Sequence, residues 1–318
     1  MRDGVSGLAA IGAQLRDAGL TARALAAWAG TARIAALPAR IAGMTTRSST
    51  PAGAILALFV GGAEVMRDRL HVPPAWIDAL VEHALVEAGG DRLRARVAIV
   101  PLGPALLVCD RLDAPGERAR VCWPDDSSHH LATAIPPGRR AHWLDLGCGS
   151  AFAPLARPEL AARISGIDIN ERAVAYARLG AGLSGIAHLA PALGDVGAAS
   201  EPAELVTCNA PIPDAPTAVE LWRHAEPGFF DRMWPALRRA AAPGGMIVVH
   251  GACEAVLPAL RDAVGERVVV TYTPADVRGF AVAWWRPDAP DRFVEARRAL
   301  TPDRPHVDPD DREQALGG

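Results

Sequence analysis

The sequence predicts a doubly wound α/β protein: a seven-stranded, mostly parallel sheet with helices on both faces, preceded by a mainly helical domain that carries a small hairpin. Three observations carry this reading. From position 141 onward short apolar, strand-like runs alternate with segments of helical period, the pattern of parallel strands joined by helical crossovers. Before position 90 the apolar residues recur at helical spacing. The 318 residues, half of them apolar, suffice for about two domains, each with its own core.

Taken in order, Leu8, Ile11, Leu15, Leu25, Trp28, Ile34 and Leu37 mark two or three short helices between positions 5 and 44. Residues 45–51 form a polar hinge, and Ser49-Thr50-Pro51 is a helix entry for residues 54–70, because a hydroxyl can cap the first turn and proline suits its first position. A further helix begins at Pro73-Pro74 and runs to about Ala88, stopped by Gly89-Gly90. The period then changes: residues 94–101 and 105–110 read as two strands joined at Gly103-Pro104. Helices followed by a hairpin resemble a winged-helix-like module. Residues 1–135 carry 14 arginines against 13 acidic residues, which is no basic footprint for nucleic acid, so a substrate-recruiting or packing role is expected.

Residues 111–139 are rich in Asp, Pro, Ser and Gly, and Pro136-Pro137-Gly138 marks the boundary to a second domain spanning 136–300. Six of its seven expected strands are placed at 142–147, 164–169, 204–209, 246–251, 267–273 and 280–286. Its expected helices are 154–163, 171–183, 229–240 and 253–263. The last strand follows its neighbour through a short turn and is expected to be antiparallel. In it, Trp284 and Trp285 point to opposite faces, so one ring faces the core and the other a substrate or solvent. Residues 301–318 are polar and read as a mobile tail.

Composition excludes several chemistries. Every one of the 33 basic residues is arginine, so a lysine Schiff base, a lysine nucleophile and a P-loop lysine are unavailable. The five cysteines form no C-x-x-C pair and read as reduced thiols. His129-His130 reads as a loop without partners at metal-ligand spacing, so no metal is expected. A net charge of -3 supplies no global basic field, and neither a signal-like apolar run near position 1 nor an 18-residue apolar stretch occurs. A cytoplasmic protein with no membrane span is the expectation.

The strongest chemical signal is Leu144-Asp145-Leu146-Gly147-Cys148-Gly149-Ser150-Ala151, an apolar strand that ends in a glycine turn and passes into a helix. Without a Cβ, Gly147 and Gly149 let the backbone turn tightly against a ligand while the helix offers free N–H groups. Position 152 is Phe, so the third glycine of a dinucleotide fingerprint is missing. The D-x-G-x-G spacing instead resembles the first motif of class I S-adenosylmethionine-dependent methyltransferases. That resemblance implies a Rossmann-like methyltransferase fold, with Asp145 facing the methionine end of the cofactor and the two glycines clearing space for it.

Twenty-three residues after Asp145, Gly166-Ile167-Asp168-Ile169-Asn170 closes the next strand. A carboxylate there can accept both ribose hydroxyls, the role the resemblance assigns to Asp168; the alternative is an N-cap for the following helix. Leu193-Gly194-Asp195-Val196 resembles the family's turn whose acid meets the adenine amino group, or is simply a turn. Cys148, Ile169 and Val196 join these as cofactor-lining positions.

Leu205-Val206-Thr207-Cys208-Asn209-Ala210-Pro211-Ile212 bears on the reaction type. It resembles the N-P-P-[YF] motif of enzymes that methylate amide or exocyclic amino nitrogens, including release-factor glutamine and small-domain ribosomal RNA methyltransferases. There the Asn and a backbone carbonyl accept hydrogen bonds from the target NH₂. Asn209 and Pro211 are kept, Ala210 replaces the first proline and Ile212 the aromatic ring. Losing the ring removes a stacking platform worth about 1–3 kcal/mol per base, which favours a peptide, protein or small-molecule amine or amide over a nucleic acid. Asn209 has a plainer reading too, as a side-chain cap on a strand-to-loop turn. Trp222, His224, Phe229 and Phe230 either roof a substrate pocket, with His224 as a base, or pack in the core. Rival readings are a small-molecule O-methyltransferase relying on His224, an rRNA or other nucleic-acid N-methyltransferase, and a fold kept as a binding or regulatory module.

Overall fold

The computed structural model describes residues 2–42, 50–198, 201–213, 220–273 and 278–317. It forms two compact units, the first comprising Met1–Pro115, Val121–Asp125 and Ala175–Ala187, the second Gly116–Arg120, Asp126–Val174 and His188–Gly318. They are therefore not the consecutive stretches 1–135 and 136–300 expected from the Pro-Gly boundary.

In the first unit, helices α1 (Arg2–Asp17), α2 (Ala22–Ala29), α3 (Leu37–Ala42) and α4 (Pro51–Phe59) come first. The Thr50 hydroxyl accepts from the Gly53 N–H, the expected cap, although the 45–49 part of the hinge lies outside the described residues. The helix expected to reach residue 70 stops at Phe59. Gly61 and Gly62 follow it, Gly62 at φ 65°, and the chain then enters strand β1 (Glu64–Met66). Helix α5 (Pro74–Glu82) likewise ends early, and β2 (Val86–Gly89) replaces its last turns. The expected strand 94–101 is two, β3 (Arg92–Ala95) and β4 (Ala98–Leu102), and β5 (Ala105–Cys109) completes the expected hairpin through Gly103 at φ 58°. Strands β1, β3 and β2 form a small antiparallel sheet, so this unit holds more β-structure than its helical periodicity announces.

The second unit contains α6 (Asp126–Ala134), β6 (Arg140–Leu146), α7 (Phe152–Ala156), β7 (Ala161–Asp168) and the start of α8 (Glu171–Ser184). It continues with β8 (Leu189–Leu193), β9 (Ala203–Asn209), α9 (Phe229–Ala240), β10 (Ala241–Ala252), α10 (Cys253–Asp262), β11 (Glu266–Tyr272), β12 (Phe280–Arg286), β13 (Arg292–Arg297) and α11 (Pro309–Gly317). The strands form one sheet in the order β13-β11-β12-β10-β9-β6-β7-β8. Strands β8, β7, β6, β9 and β10 run parallel, and β12 lies antiparallel to both β10 and β11 as expected. This is a doubly wound, mostly parallel sheet with one strand more than expected, since β13 pairs parallel with β11 at its edge. The chain leaves β6 outward through β7 and β8, then returns to place β9 on the other flank of β6. The carboxyl ends of β6 and β9 thus make the switch point where ligands of such sheets bind.

Four local expectations are corrected. Helix 154–163 is only α7, because Pro158 follows and the chain is already in β7 at Ala161. Both tryptophans are buried, because helices cover both faces of the sheet: the Trp284 N–H donates to the Ala134 carbonyl of α6, and that of Trp285 to the Val264 carbonyl. His129 and His130 lie on α6 rather than in a loop. Residues 301–317 carry α11 and pack: Val307 is fully buried, Asp311 pairs with Arg298 and Arg304, and Arg312 reaches Glu266 at 2.5 Å. Their polarity goes into ion pairs within the segment and with Arg298, just after β13, and Glu266 of β11, which composition alone does not reveal. Among the described residues no helix is long and apolar enough to cross a membrane, and no group of three or more His, Cys, Asp or Glu side chains is placed to hold a metal ion.

Candidate active site

The glycine turn grows directly out of β6. Gly147 and Gly149 adopt φ 69° and 53°, and Ala151 follows at φ 63°, a left-handed conformation rare for a residue with a Cβ. The Gly147 and Cys148 N–H groups both donate to the Ile167 carbonyl, which clamps the turn to β7. A Cβ built at Gly147 or Gly149 would meet nothing within 4 Å, so one side of the turn faces open space. Cys148 points the other way: it is buried, its thiol pKa is pushed well up by that burial, and its sulfur lies 2.8 Å from where a Cβ of Gly166 would stand. Its side chain packs on β7, and only its backbone belongs to the turn.

Asp168 ends β7 with both oxygens engaged, one accepting from the Gly149 N–H at 2.7 Å and the other from the Asn170 N–H at 2.8 Å. It is not the N-cap of α8. That place belongs to Asn170, whose Oδ1 accepts from the Arg172 N–H at 3.0 Å. Each carboxylate oxygen keeps a second lone-pair site, so the acid can still receive hydroxyl donors, and burial raises its pKa. Beside it, Ile169 is 51% and Leu193 57% exposed, the latter the register partner of Asp168 on β8. Large apolar side chains left in solvent at strand ends are suited to covering a flat hydrophobic ligand. Val196 instead inserts into the core. Asp195 stays near the surface, accepting from the Gly197 N–H and facing Arg232 at 3.6 Å.

Asp145, 4% exposed, is deeper. Its Oδ1 accepts from the Thr207 hydroxyl at 2.6 Å, and that hydroxyl accepts from the Trp143 indole N–H at 2.7 Å. Thr207 and Asp145 are register partners on β9 and β6, so the three-residue chain spans the switch point. Burial pushes the Asp145 carboxyl up to about 7; the Thr207 hydrogen bond opposes this and the neighbouring Asp168 charge adds to it. Trp143 and Thr207 had no expected role. Their signal was the alternation of β6 and β9, in which positions 143, 145 and 207 share a face.

At the end of β9 the Asn209 side chain is held from two directions: Oδ1 by His250 Nδ1 at 2.7 Å, while Nδ2 donates to the Ser127 hydroxyl at 2.9 Å. The Ala210 N–H donates to the His250 carbonyl, and Ile212 exchanges backbone hydrogen bonds with Arg223 and Ala225, flanking His224. Pro211 lies half-buried between these anchors. The structure therefore brings His224 beside the Asn209–Ile212 turn, with its Nδ1 buried and lacking a hydrogen-bond partner among the described residues. Phe229 and Phe230 pack against the core, and Trp222 is 37% exposed. His250, Tyr272, Ser127 and His130 were not singled out for this end of the sheet. His130 stacks on Tyr272, and burial next to His250 and His306 brings its pKa down to about 3, so it is neutral.

No protein-family model and no curated protein matches the chain. Among solved structures it is similar to the N-methyltransferase NodS from Bradyrhizobium japonicum WM9, with 19% identity, 51% of this chain and 94% of that one covered, and a TM-score of 0.37. It is similar to the tRNA m1G37 methyltransferase of M. jannaschii at 14% identity, with 61% and 60% covered and a TM-score of 0.43. An rRNA methylase from Streptococcus thermophilus stands at 16% identity, with 51% and 94% covered and a TM-score of 0.37.

Proposed function

We propose that this chain is an S-adenosylmethionine-dependent methyltransferase acting on an amide or amine nitrogen of a peptide, protein or small molecule. The observation that carries the reading is the assembly of Asp145, the open-faced Gly147 and Gly149, and Asp168 at the switch point of the sheet. The residues fit the cofactor. The open side of the turn accommodates its backbone-like methionine portion, Asp145 answers a cationic amino group, Asp168 receives the ribose hydroxyls, and Ile169 and Leu193 flank the adenine with Asp195 at its rim. When bound, the cofactor supplies an electrophilic methyl group on a sulfonium sulfur.

With the methyl already activated, the chain's task is alignment of the acceptor and exclusion of water. Asn209 offers a fixed carboxamide oxygen to an acceptor N–H, and the Ala210–Pro211 backbone continues that edge. Ile212 provides no stacking ring, which supports a non-planar acceptor over a nucleobase.

A second reading, O-methylation, is favoured by one observation, the buried and unpartnered Nδ1 of His224 beside Ile212. An unprotonated imidazole nitrogen there supports a general-base role toward a hydroxyl acceptor. The first unit, helices followed by a three-stranded antiparallel sheet, we read as a winged-helix-like module that recruits the acceptor.

The test is calorimetric titration of S-adenosylmethionine and S-adenosylhomocysteine into the wild type and Asp168→Ala. Micromolar binding lost in the folded variant supports the reading, and no binding to folded wild type overturns it. Once an acceptor is in hand, His224→Ala separates the two chemistries, since transfer to a neutral nitrogen survives it and transfer to a hydroxyl falls by about 100-fold or more.

A further inference from the structure

We infer that His250 is the positioning residue of the acceptor site, its imidazole held in one tautomer by Tyr272 so that the Asn209 oxygen keeps a single aim; this rests on the methyltransferase reading above. Asn209 and His250 are register partners on neighbouring parallel strands. A carboxamide oxygen can only accept, so the 2.7 Å contact from His250 Nδ1 to Asn209 Oδ1 puts the ring proton on Nδ1. In the neutral ring Nε2 must then accept, and the Tyr272 hydroxyl stands 2.7 Å from it. The donors therefore run in one direction, from Tyr272 to His250 to Asn209 and on to Ser127.

His250 grips the motif twice, since its backbone carbonyl also accepts the Ala210 N–H at 2.8 Å. The ring itself is confined. It is 2% exposed and lies parallel to Phe280 at 5.7 Å and to His130 at 5.8 Å. A purely structural site at this depth is served as well by apolar side chains, because buried polar groups stabilise little beyond replacing the water they lose. What a directed chain adds is orientation, and an error of about 1 Å at a reacting group costs about 100-fold in rate. The side chain so oriented is the one that faces the acceptor.

The probe is sinefungin, the cofactor analogue whose amine replaces the transferred methyl, measured against S-adenosylhomocysteine on the full chain. An Asn209 oxygen aimed at the transfer position accepts from that amine, so the wild type should prefer sinefungin by about tenfold. In His250→Leu the preference should fall to about one while S-adenosylhomocysteine affinity stays within twofold. His250→Asn, whose amide N–H falls where Nδ1–H stands, should restore most of it, and Tyr272→Phe should lose part. Nitrogen-15 shifts of the wild-type imidazole should report the Nδ1-protonated tautomer, and those of Tyr272→Phe a mixture. If His250→Leu does not fold, Tyr272→Phe, which removes one oxygen, carries the comparison. S-adenosylhomocysteine binding with no sinefungin preference, a preference unmoved by these variants, or an Nε2-protonated wild-type ring overturns this inference alone. Failure of the folded wild type to bind S-adenosylhomocysteine overturns the methyltransferase reading and this inference with it.

Discussion

The Asp168 carboxylate accepts the Gly149 N–H at 2.7 Å, so the acid that ends one strand holds the glycine turn that ends its neighbour. Two motifs 19 residues apart are one device. Asp168 cannot be changed without loosening the turn.

Asp168→Ala should therefore do more than remove the proposed ribose contact. We expect cofactor-product affinity to fall by at least about 100-fold, with the Gly149 amide exchanging faster in hydrogen-exchange measurements, since an unpaired backbone donor costs about 1–3 kcal/mol. Asp168→Asn retains one acceptor and should fall between. Wild-type exchange at Gly149 in Asp168→Ala contradicts the linkage.

Asp145 carries a second prediction, in pH. Its pKa rises from 3.8 unfolded to about 7 folded, so between those values the folded state binds more protons and stability falls as pH rises. Asp145→Asn removes that loss. Its melting temperature relative to wild type should climb from pH 4 to pH 7 and level off above, by about 2–4 °C for each kcal/mol recovered. If the ionised form answers the cofactor's amino group as proposed, wild-type affinity should weaken below about pH 7 and the variant should bind poorly throughout. A melting difference independent of pH excludes the burial argument.

Thr207→Val tests the chain beneath Asp145. The swap keeps shape but strands the Trp143 indole N–H and one Asp145 oxygen, and a loss of about 1–3 kcal/mol for each orphaned group is expected in denaturant melts. It also removes the hydrogen bond that restrains the Asp145 pKa, so the pH-dependent decline, still starting near the unfolded value, should extend to higher pH.

Gly147→Ala and Gly149→Ala separate strain from occlusion. Both positions have positive φ, where a Cβ costs about 1–2 kcal/mol, yet neither Cβ would strike the protein. Stability should drop by that modest amount, whereas cofactor affinity should fall by tenfold or more if the added methyl enters the space proposed for the ligand. An unchanged affinity would show that the open side of the turn faces no ligand.

The parallel sheet was legible because each strand from β6 to β12, β8 excepted, is a run of apolar residues bounded by turn-formers, as in residues 246–251. The glycine turn was legible because positive φ requires residues without a Cβ, and Asp168 because strand-end acids sit at a regular distance. Strand β8, reading LAPAL, has too little β-propensity to announce itself, and β2 continues the helical period of α5. These strands form because a neighbouring edge offers unpaired backbone groups, which local sequence does not record.

Taken alone, the sequence determined the order of most helices and strands of the second unit, the turn after β6 and the residue types at the ends of β6, β7 and β9, since these follow from local periodicity and backbone sterics. Tertiary structure decided which of them meet. Asn209 faces His250 because β9 and β10 pair in one register, and Asp145 reaches Thr207 because the chain returns to β6 at the switch point. Register and crossover are settled by burying two sheet faces at once, a constraint spread over the whole second unit and carried by no single stretch of it.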